Sequence, residues 1–398
     1  MHIAVLAPMP PEQNGIADYA AHLRTALHER GIRISTPLQG LGNDPQRAIE
    51  RVAQADWQDI DLVHAELGGG RLAEFHALRA LRQRFPSLPL SATVHDPERL
   101  VWRRAALPWP LSLAARLPSP LPQLATVLAD PICLYEEKQL ARRLNRLITL
   151  TRAGGECLRQ RMGLRAEQMV VIPHGNLAIP ARPLPPLMPL RLLYFGFIYR
   201  GKGIEDLLDA LAMVFAQQPE LRQRLRLTLA GGSEPEMAFG TAGSYLDQLR
   251  QHIQRLNLQD SIDWQLDLPA GDIPRVIQDH HVMVLPYRES SKLRVLGQLR
   301  GTSGALSWAV ACGRGAITSD ARSFAEEVAQ GNGVIFPQGN VAALAAEISH
   351  LCASPELVER WAEHAAMIGA RRVWSQTAER FARVFADACA GAAHVHAT

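Results

Sequence analysis

Two cations, Arg200 and Lys202, stand between glycines in "FGFIYRGKGIEDLLDAL", after a strand-like run and before an amphipathic helix pattern. A helix N-terminus presents unpaired N–H groups and partial positive charge, and guanidinium and ammonium groups bind phosphate oxygens. That spacing suits a diphosphate. A solvated basic loop has the same composition, but placement at a strand end favours the phosphate reading. His95 in "TVHD" closes another apolar run, where an imidazole can hydrogen-bond a sugar hydroxyl or move a proton; a structural histidine is the plainer alternative. His64 and Glu66 in "VHAELGGG" also follow a strand and precede three glycines. Asn14 and Gly15 open a helix after the first apolar run, either as a plain turn or as backbone able to approach an anion.

These residues need strand ends to hold them. Apolar runs at 2–8, 61–67, 90–96, 146–151 and 169–175 alternate with helix patterns, and so do runs at 190–196, 225–232, 261–265, 281–287, 315–320 and 333–337. Such alternation predicts an α/β protein with two Rossmann-like, doubly wound parallel sheets. The length of 398 residues fits two domains. Five prolines between Leu177 and Leu190 forbid a helix. The expected division is therefore a first domain over 1–178, a linker over 179–190 and a second domain over 191–372. A last helix over 374–392 returns to the first domain. Ligands of such sheets bind outside the carboxyl ends of the strands.

Composition narrows the classes. Apolar residues at 47% and charged residues at 20% describe a buried globular core, and the net charge of +3 is only mildly basic. No dense basic stripe with interleaved aromatics marks a nucleic-acid binder. No GxGxxG follows a strand, which disfavours a dinucleotide oxidoreductase. Cys133, Cys157, Cys312, Cys352 and Cys389 are scattered and never form CxxC, so neither a disulfide framework nor a zinc site is expected, and a cytoplasmic setting is. "MHIAVLAPMPP" reads as a strand rather than a signal peptide, and no run of eighteen apolar residues suggests a span.

One stretch breaks the alternation. Residues 98–131 are rich in Arg, Trp, Leu and Pro. They read either as an irregular excursion of the core or as a surface element. In the second reading Trp102 and Trp109 lie in a lipid headgroup layer or against an acceptor, with Arg103, Arg104 and Arg116 on phosphates.

"FGFIYRGKGIEDLLDAL", "LTLAGG", "LNLQDSIDWQLDLPAGDIPRVIQDHHVMVLPYR", "ACGRGAITSD" and "FAEEVAQGNGVIFPQGN", in this order, resemble the carboxy-terminal half of GT-B glycosyltransferases of the large retaining family four. "NGIADY", "TVHD", "VIPHG" and "WSQTAERF" are similar to that family's amino half and final crossover helix. The resemblance implies that Gly15 approaches the donor phosphates, that His95 contacts the transferred sugar and that Lys202 binds the diphosphate. Gly231 falls in the matching "LTLAGG". Where the family has an arginine after the strand-end glycine this chain has Phe197, and Arg200 is a substitute.

The family's pair of glutamates is not matched. Aligning "WAVACG" puts Arg300 and Trp308 at those two positions, and neither is a carboxylate. Pro286 and Trp308 are 22 positions apart, longer than the family's spacing, and the extra segment carries Glu289, Lys292, Arg294 and Arg300. Departure of a nucleoside diphosphate calls for positive charge and oriented donors around the leaving phosphates. Lys292, Arg294, Arg300, Thr302, Ser303 and Gly304 are candidates beside Arg200 and Lys202. Glu289, or Glu326 and Glu327 in "FAEEV", is the expected relocation of the carboxylate role, although Glu289 also reads as a plain loop charge. Trp308 reads as core packing rather than a base stack.

The expected activity is transfer of a hexose from a sugar nucleotide to a hydroxyl of a glycan or lipid-linked acceptor. The setting would be polysaccharide biosynthesis at the inner membrane face, with no metal, no cofactor and no nucleic acid. Two alternatives stay open: a degenerate GT-B protein that binds a sugar nucleotide or a partner without turnover, and a sugar-nucleotide epimerase.

Overall fold

The computed structural model describes the whole chain except Gln13 and residues 102–106, 233–244, 290–296, 299 and 396–398. It divides into two units. Unit 1 comprises Met1–Gly175, Lys292–Thr302 and Trp374–Thr398, and unit 2 comprises Asn176–Ser291 and Ser303–Val373.

Unit 1 holds six parallel strands: β1 (His2–Leu6), β2 (Arg33–Ser35), β3 (Leu62–Leu67), β4 (Leu90–Val94), β5 (Arg146–Thr149) and β6 (Met169–Val171). Their order is β2-β1-β3-β4-β5-β6. Both faces of β3 and β4 are covered, so they are buried at every position and read as continuous runs. The inside–outside alternation of a half-exposed strand is therefore absent from them. Val63, Ala65, Leu90, Ala92 and Leu147 share one core with helix residues Leu78, Leu81 and Leu158. The three-residue edge strand β2 is not among the expected strands, because "RIS" contains no apolar run.

Unit 2 holds β7 (Leu190–Phe195), β8 (Leu225–Gly231), β9 (Ile262–Leu266), β10 (Val282–Leu285), β11 (Gly315–Ser319) and β12 (Gly333–Phe336). Their order is β12-β11-β10-β7-β8-β9, again all parallel. The order reverses between β7 and β10, and the crevice outside such neighbours is where open α/β sheets bind ligands. The helix Ile204–Gln217 buries Ile204, Leu207, Leu208, Leu211 and Val214 on this sheet.

Among the described residues no single helix is long and apolar enough to cross a membrane. The bent pair Val341–Ala353 and Pro355–Ala370 passes on length and composition, but Leu344, Ile348, Leu351 and Val358 are buried in the unit 2 core.

Candidate functional site

In unit 2 the loop after β7 is fixed by its glycines. Gly196 and Gly231 end adjacent strands at φ +136° and +137°, and a Cβ on Gly231 would lie 2.0 Å from the Gly196 carbonyl oxygen. Gly203 has φ +69°, and a Cβ there would lie 1.7 Å from the carbonyl oxygen of Pro286, just past β10. The Gly201 carbonyl accepts the Arg288 amide at 3.0 Å. Only glycine permits this approach, and it locks the loop onto the end of β10 at the switch point.

Lys202 sits inside that lock, 8% exposed. Its Nζ lies 3.7 Å from the ring centroid of Tyr287 and 4.9 Å from that of Tyr199. No carboxylate among the described residues lies within ion-pair distance of it. The Tyr287 hydroxyl and Ser303 Oγ are 3.0 Å apart, and the Tyr287 carbonyl accepts the Ser319 hydroxyl at 2.7 Å. The Arg322 guanidinium carbon lies 5.6 Å from the same ring. Burial raises the Tyr287 phenol, but the Lys202 charge and the bond with Ser303 outweigh it and bring the group below its ordinary value. Ser303 caps the helix Gly304–Ala311, its Oγ accepting the Ala305 amide at 3.3 Å. A Cβ on Gly304 would meet nothing within 4 Å.

In unit 1 the strand ends carry an acid–imidazole cluster. His95, after β4, donates from Nε2 to Glu66 at 2.7 Å. Glu66, in β3, also receives His64 Nε2 at 3.2 Å, while the other His64 nitrogen meets Ser91 Oγ at 2.8 Å. Burial pushes the Glu66 carboxyl up, but the hydrogen bonds from His64 and His95 prevail and hold it at about 2. Tyr19 packs edge-on against His95, His174 and Trp374 at centroid distances of 4.8 to 5.0 Å, and its buried hydroxyl has no partner among the described residues. Gly15 starts the helix Gly15–Glu29, which Asn14 caps by accepting the Ile16 and Ala17 amides; a Cβ on Gly15 would face open space.

Several sequence-predicted residues lie elsewhere. The exposed Arg200 guanidinium bonds Gln248 and lies over the Tyr245 ring, on the helix Tyr245–Arg255. Arg300 belongs to unit 1 and lies 3.6 Å from Glu98, whose other contacts are the Gln298 amide at 2.7 Å and Arg161 at 3.8 Å. Gly301 packs so closely on His95 that a Cβ would lie 2.2 Å from the His95 carbonyl oxygen. Thr302 is the last residue of this unit 1 excursion, and Ser303 returns to unit 2. Gly297, Gln298, Arg300 and Gly301, from the segment expected to extend the donor side, thus lie against Glu98 and His95 of unit 1.

Glu327 is buried in an ion pair with Arg372 at 2.6 Å, and burial raises its carboxyl. A Glu289 oxygen accepts the Arg322 amide at 3.2 Å, and its own amide donates to Gln338. Trp308 packs against the unit 2 core, its ring 6.5 Å from Phe195. Trp109 is exposed. Trp102, Arg103, Arg104, Lys292 and Arg294 lie outside the described residues, as does the Arg116 side chain.

Sequence reasoning misses Tyr287, Tyr199 and Arg322 as site residues. "LPYR" after an apolar run, at the strand neighbouring Lys202, is the signal that marks Tyr287; Arg322, at φ +56° in a turn, has no such mark.

Two six-stranded parallel sheets with helices, each with a cluster at its strand ends, are the GT-B architecture. Residues 178–367 match the family described as glycosyl transferases group 1. Over 271 residues the chain is 27% identical to the D-inositol 3-phosphate glycosyltransferase of Streptomyces bingchenggensis, an alignment covering 64% of this chain and 55% of that protein. The match thus spans about half the length of that curated relative. Sucrose-phosphate synthase of Thermosynechococcus elongatus shares the fold at TM-score 0.69 and 19% identity, with 98% of this chain and all of that chain covered. HepE of Anabaena, solved in complex with UDP, shares it at 0.66 and 19%, covering 97% of this chain and all of that one.

Proposed function

We propose that this protein is a glycosyltransferase that moves a hexose from a nucleoside-diphosphate sugar to a hydroxyl of a glycan or lipid-linked acceptor in polysaccharide biosynthesis. The observation that carries the donor half is Lys202: a buried ammonium at the switch point, packed on Tyr287 and Tyr199, with no carboxylate partner among the described residues. Such a group is stabilised by an incoming anion. In this reading Lys202, Ser303 and the open backbone at Gly304 hold the leaving diphosphate, with Gly231 giving the backbone close approach. Arg200 reaches the donor only by leaving Gln248. No metal takes part. Unit 1 takes the acceptor, and a lipid-linked one would be met at the inner face of the cytoplasmic membrane.

His95 is the proposed proton-handling group. With its Nε2 proton on Glu66, its Nδ1 is left as an acceptor for a sugar hydroxyl. Glu289 remains the proposed replacement carboxylate. The other candidate, Glu327, would have to release Arg372 before it could meet a ribose.

That same engagement of Glu327 and Glu289, with Trp308 in the core, favours a second reading in which the donor binds without turnover. UDP-glucose accompanies HepE in another of its solved structures, so uridine donors come first. Purified protein is screened against UDP-, GDP- and dTDP-sugars for a rise in melting temperature, followed by product analysis. A ligand at a hundredfold excess over its Kd stabilises by about 2.7 kcal/mol. Transfer supports the first reading, binding without turnover the second, and an epimeric product a sugar-nucleotide epimerase. Lys202→Ala should abolish the shift; its survival would remove the donor assignment.

A further inference from the structure

The helix Leu121–Arg143 is apolar on the side that faces solvent. Between Leu121 and Tyr135 every exposed position is apolar or aromatic: Leu121, Leu124, Val127, Leu128, Ile132 and Tyr135, with Pro131 among them. Leu128 is 67% exposed and Tyr135 64%. The preceding short helix Leu111–Arg116 adds Leu113 at 65%, and Trp109 before it is 81% exposed. This is a far larger exposed apolar surface than scattered single residues make.

The face is fixed by its inner side. Glu137, buried on the opposite flank, accepts Arg99 Nε at 2.9 Å and the Leu100 amide at 2.7 Å, and Arg99 also reaches Asp130 at 2.6 Å. Ala125, Ala129, Cys133 and Leu140 are buried beside it. The outward set cannot turn inward without breaking that ion-pair cluster.

Charge identifies the occupant. From Ala105 to Tyr135 the only charged residues are Arg116 and Asp130. From Arg99 through Arg152 there are nine Lys and Arg against three Asp and Glu. All three acids are already tied to arginines, Asp130 and Glu137 to Arg99 and Glu136 to Arg79. An uncharged apolar face with an aromatic at each end, inside a cationic segment, has the chemistry of a helix lying in the boundary between lipid headgroups and acyl chains. A second copy fits less well. The stripe from Leu121 to Tyr135 covers two heptads, short of the three to four that sustain a coiled coil.

We infer that the outward face of Leu121–Arg143, with Leu113 and Trp109, docks this protein on an anionic lipid bilayer. The inference deepens the lipid-linked acceptor reading without depending on it, because lipid binding is read with neither donor nor acceptor present. The test is flotation of the full chain with phosphatidylcholine vesicles, with and without phosphatidylglycerol. The protein should partition onto the anionic vesicles, and Leu124→Glu/Leu128→Glu/Ile132→Glu should lower partitioning by about tenfold or more. Trp109→Glu, on the separate short segment, should weaken it independently even if the triple variant fails to fold. The donor-induced melting shift should persist in both. Failure of the wild type to bind, or variants that bind as well as it does, would overturn the inference. So would a concentration-dependent dimer dissolved by the same substitutions, which would make the occupant a second copy. Vesicle binding lost alongside an intact donor shift leaves the transferase reading standing, and the reverse result separates them the other way.

Discussion

Burying an ammonium group costs several kcal/mol unless its surroundings replace water. Two aromatic faces do part of this for Lys202, a desolvated cation–π contact contributing about 2 kcal/mol. Tyr287→Phe should therefore keep most of the affinity for a nucleoside diphosphate, having lost the hydroxyl's contacts with Ser303 and Lys202 but not the ring, whereas Tyr287→Leu should lose about tenfold more. Calorimetric titration with UDP decides; equal losses would show that the hydroxyl, not the ring, matters. Glu66 gives a second test at this scale. Its carboxyl sits at about 2, below the ordinary value of 4.5, so its stabilising contribution is complete above about pH 4.5 and disappears as pH falls toward 2. Glu66→Gln should destabilise by about 1.5–3 kcal/mol at pH 7, and the gap to wild type should narrow on acidification below about pH 4.5. Melting curves at pH 7 and pH 4 measure it. Lys202, His95 and Glu66 are visible in the sequence as strand-end residues. The neighbour of Lys202 is not, since Tyr287 lies 85 positions from it and only the sheet order brings them together.

Among elements, the turn Gly201–Gly203 is the one whose chemistry leaves least freedom. Gly203→Ala would place a methyl 1.7 Å from a backbone oxygen at positive φ, where any side chain is strained. We expect a loss of about 2 kcal/mol or more, read by chemical denaturation, together with loss of the donor shift. Gly15→Ala, which meets open space, should leave stability unchanged within about 0.5 kcal/mol. Eleven of the twelve strands among the described residues are legible as apolar runs bounded by turns, most plainly β3 and β4, which are covered on both faces. The missing one, β2, is a polar edge. The expected strands also run too long: 169–175 reads as one run, but β6 ends at Val171 and the remainder is loop. Apolarity persists past the strand end where the chain that follows is itself buried, as at Ile172.

At the scale of the molecule, two cores with separate strand-end clusters predict separate responses to ligand. Hydrogen exchange with saturating UDP should slow amides at 196–203, 286–288 and 303–308 and leave β3 and β4 of unit 1 as they are; uniform protection across both sheets would contradict a donor site built on Lys202. The division into two sheets can be read from the alternation of runs. The route of the chain cannot. Residues after Glu289 are expected to enlarge the donor side, yet Gln298, Arg300 and Gly301 lie on Glu98 and His95, contacts about 200 positions away in sequence that no local pattern encodes.

That detour has a practical result for anyone trimming the protein. Residues 176–373 look like a portable module, since they contain the whole second sheet. Cut out by themselves, they would keep Gly297, Gln298, Arg300 and Gly301 while discarding the Glu98 carboxylate and the His95 backbone against which these residues pack. A shortened version should consequently suffer early tryptic nicking after Arg300, and the intact polypeptide should resist it there.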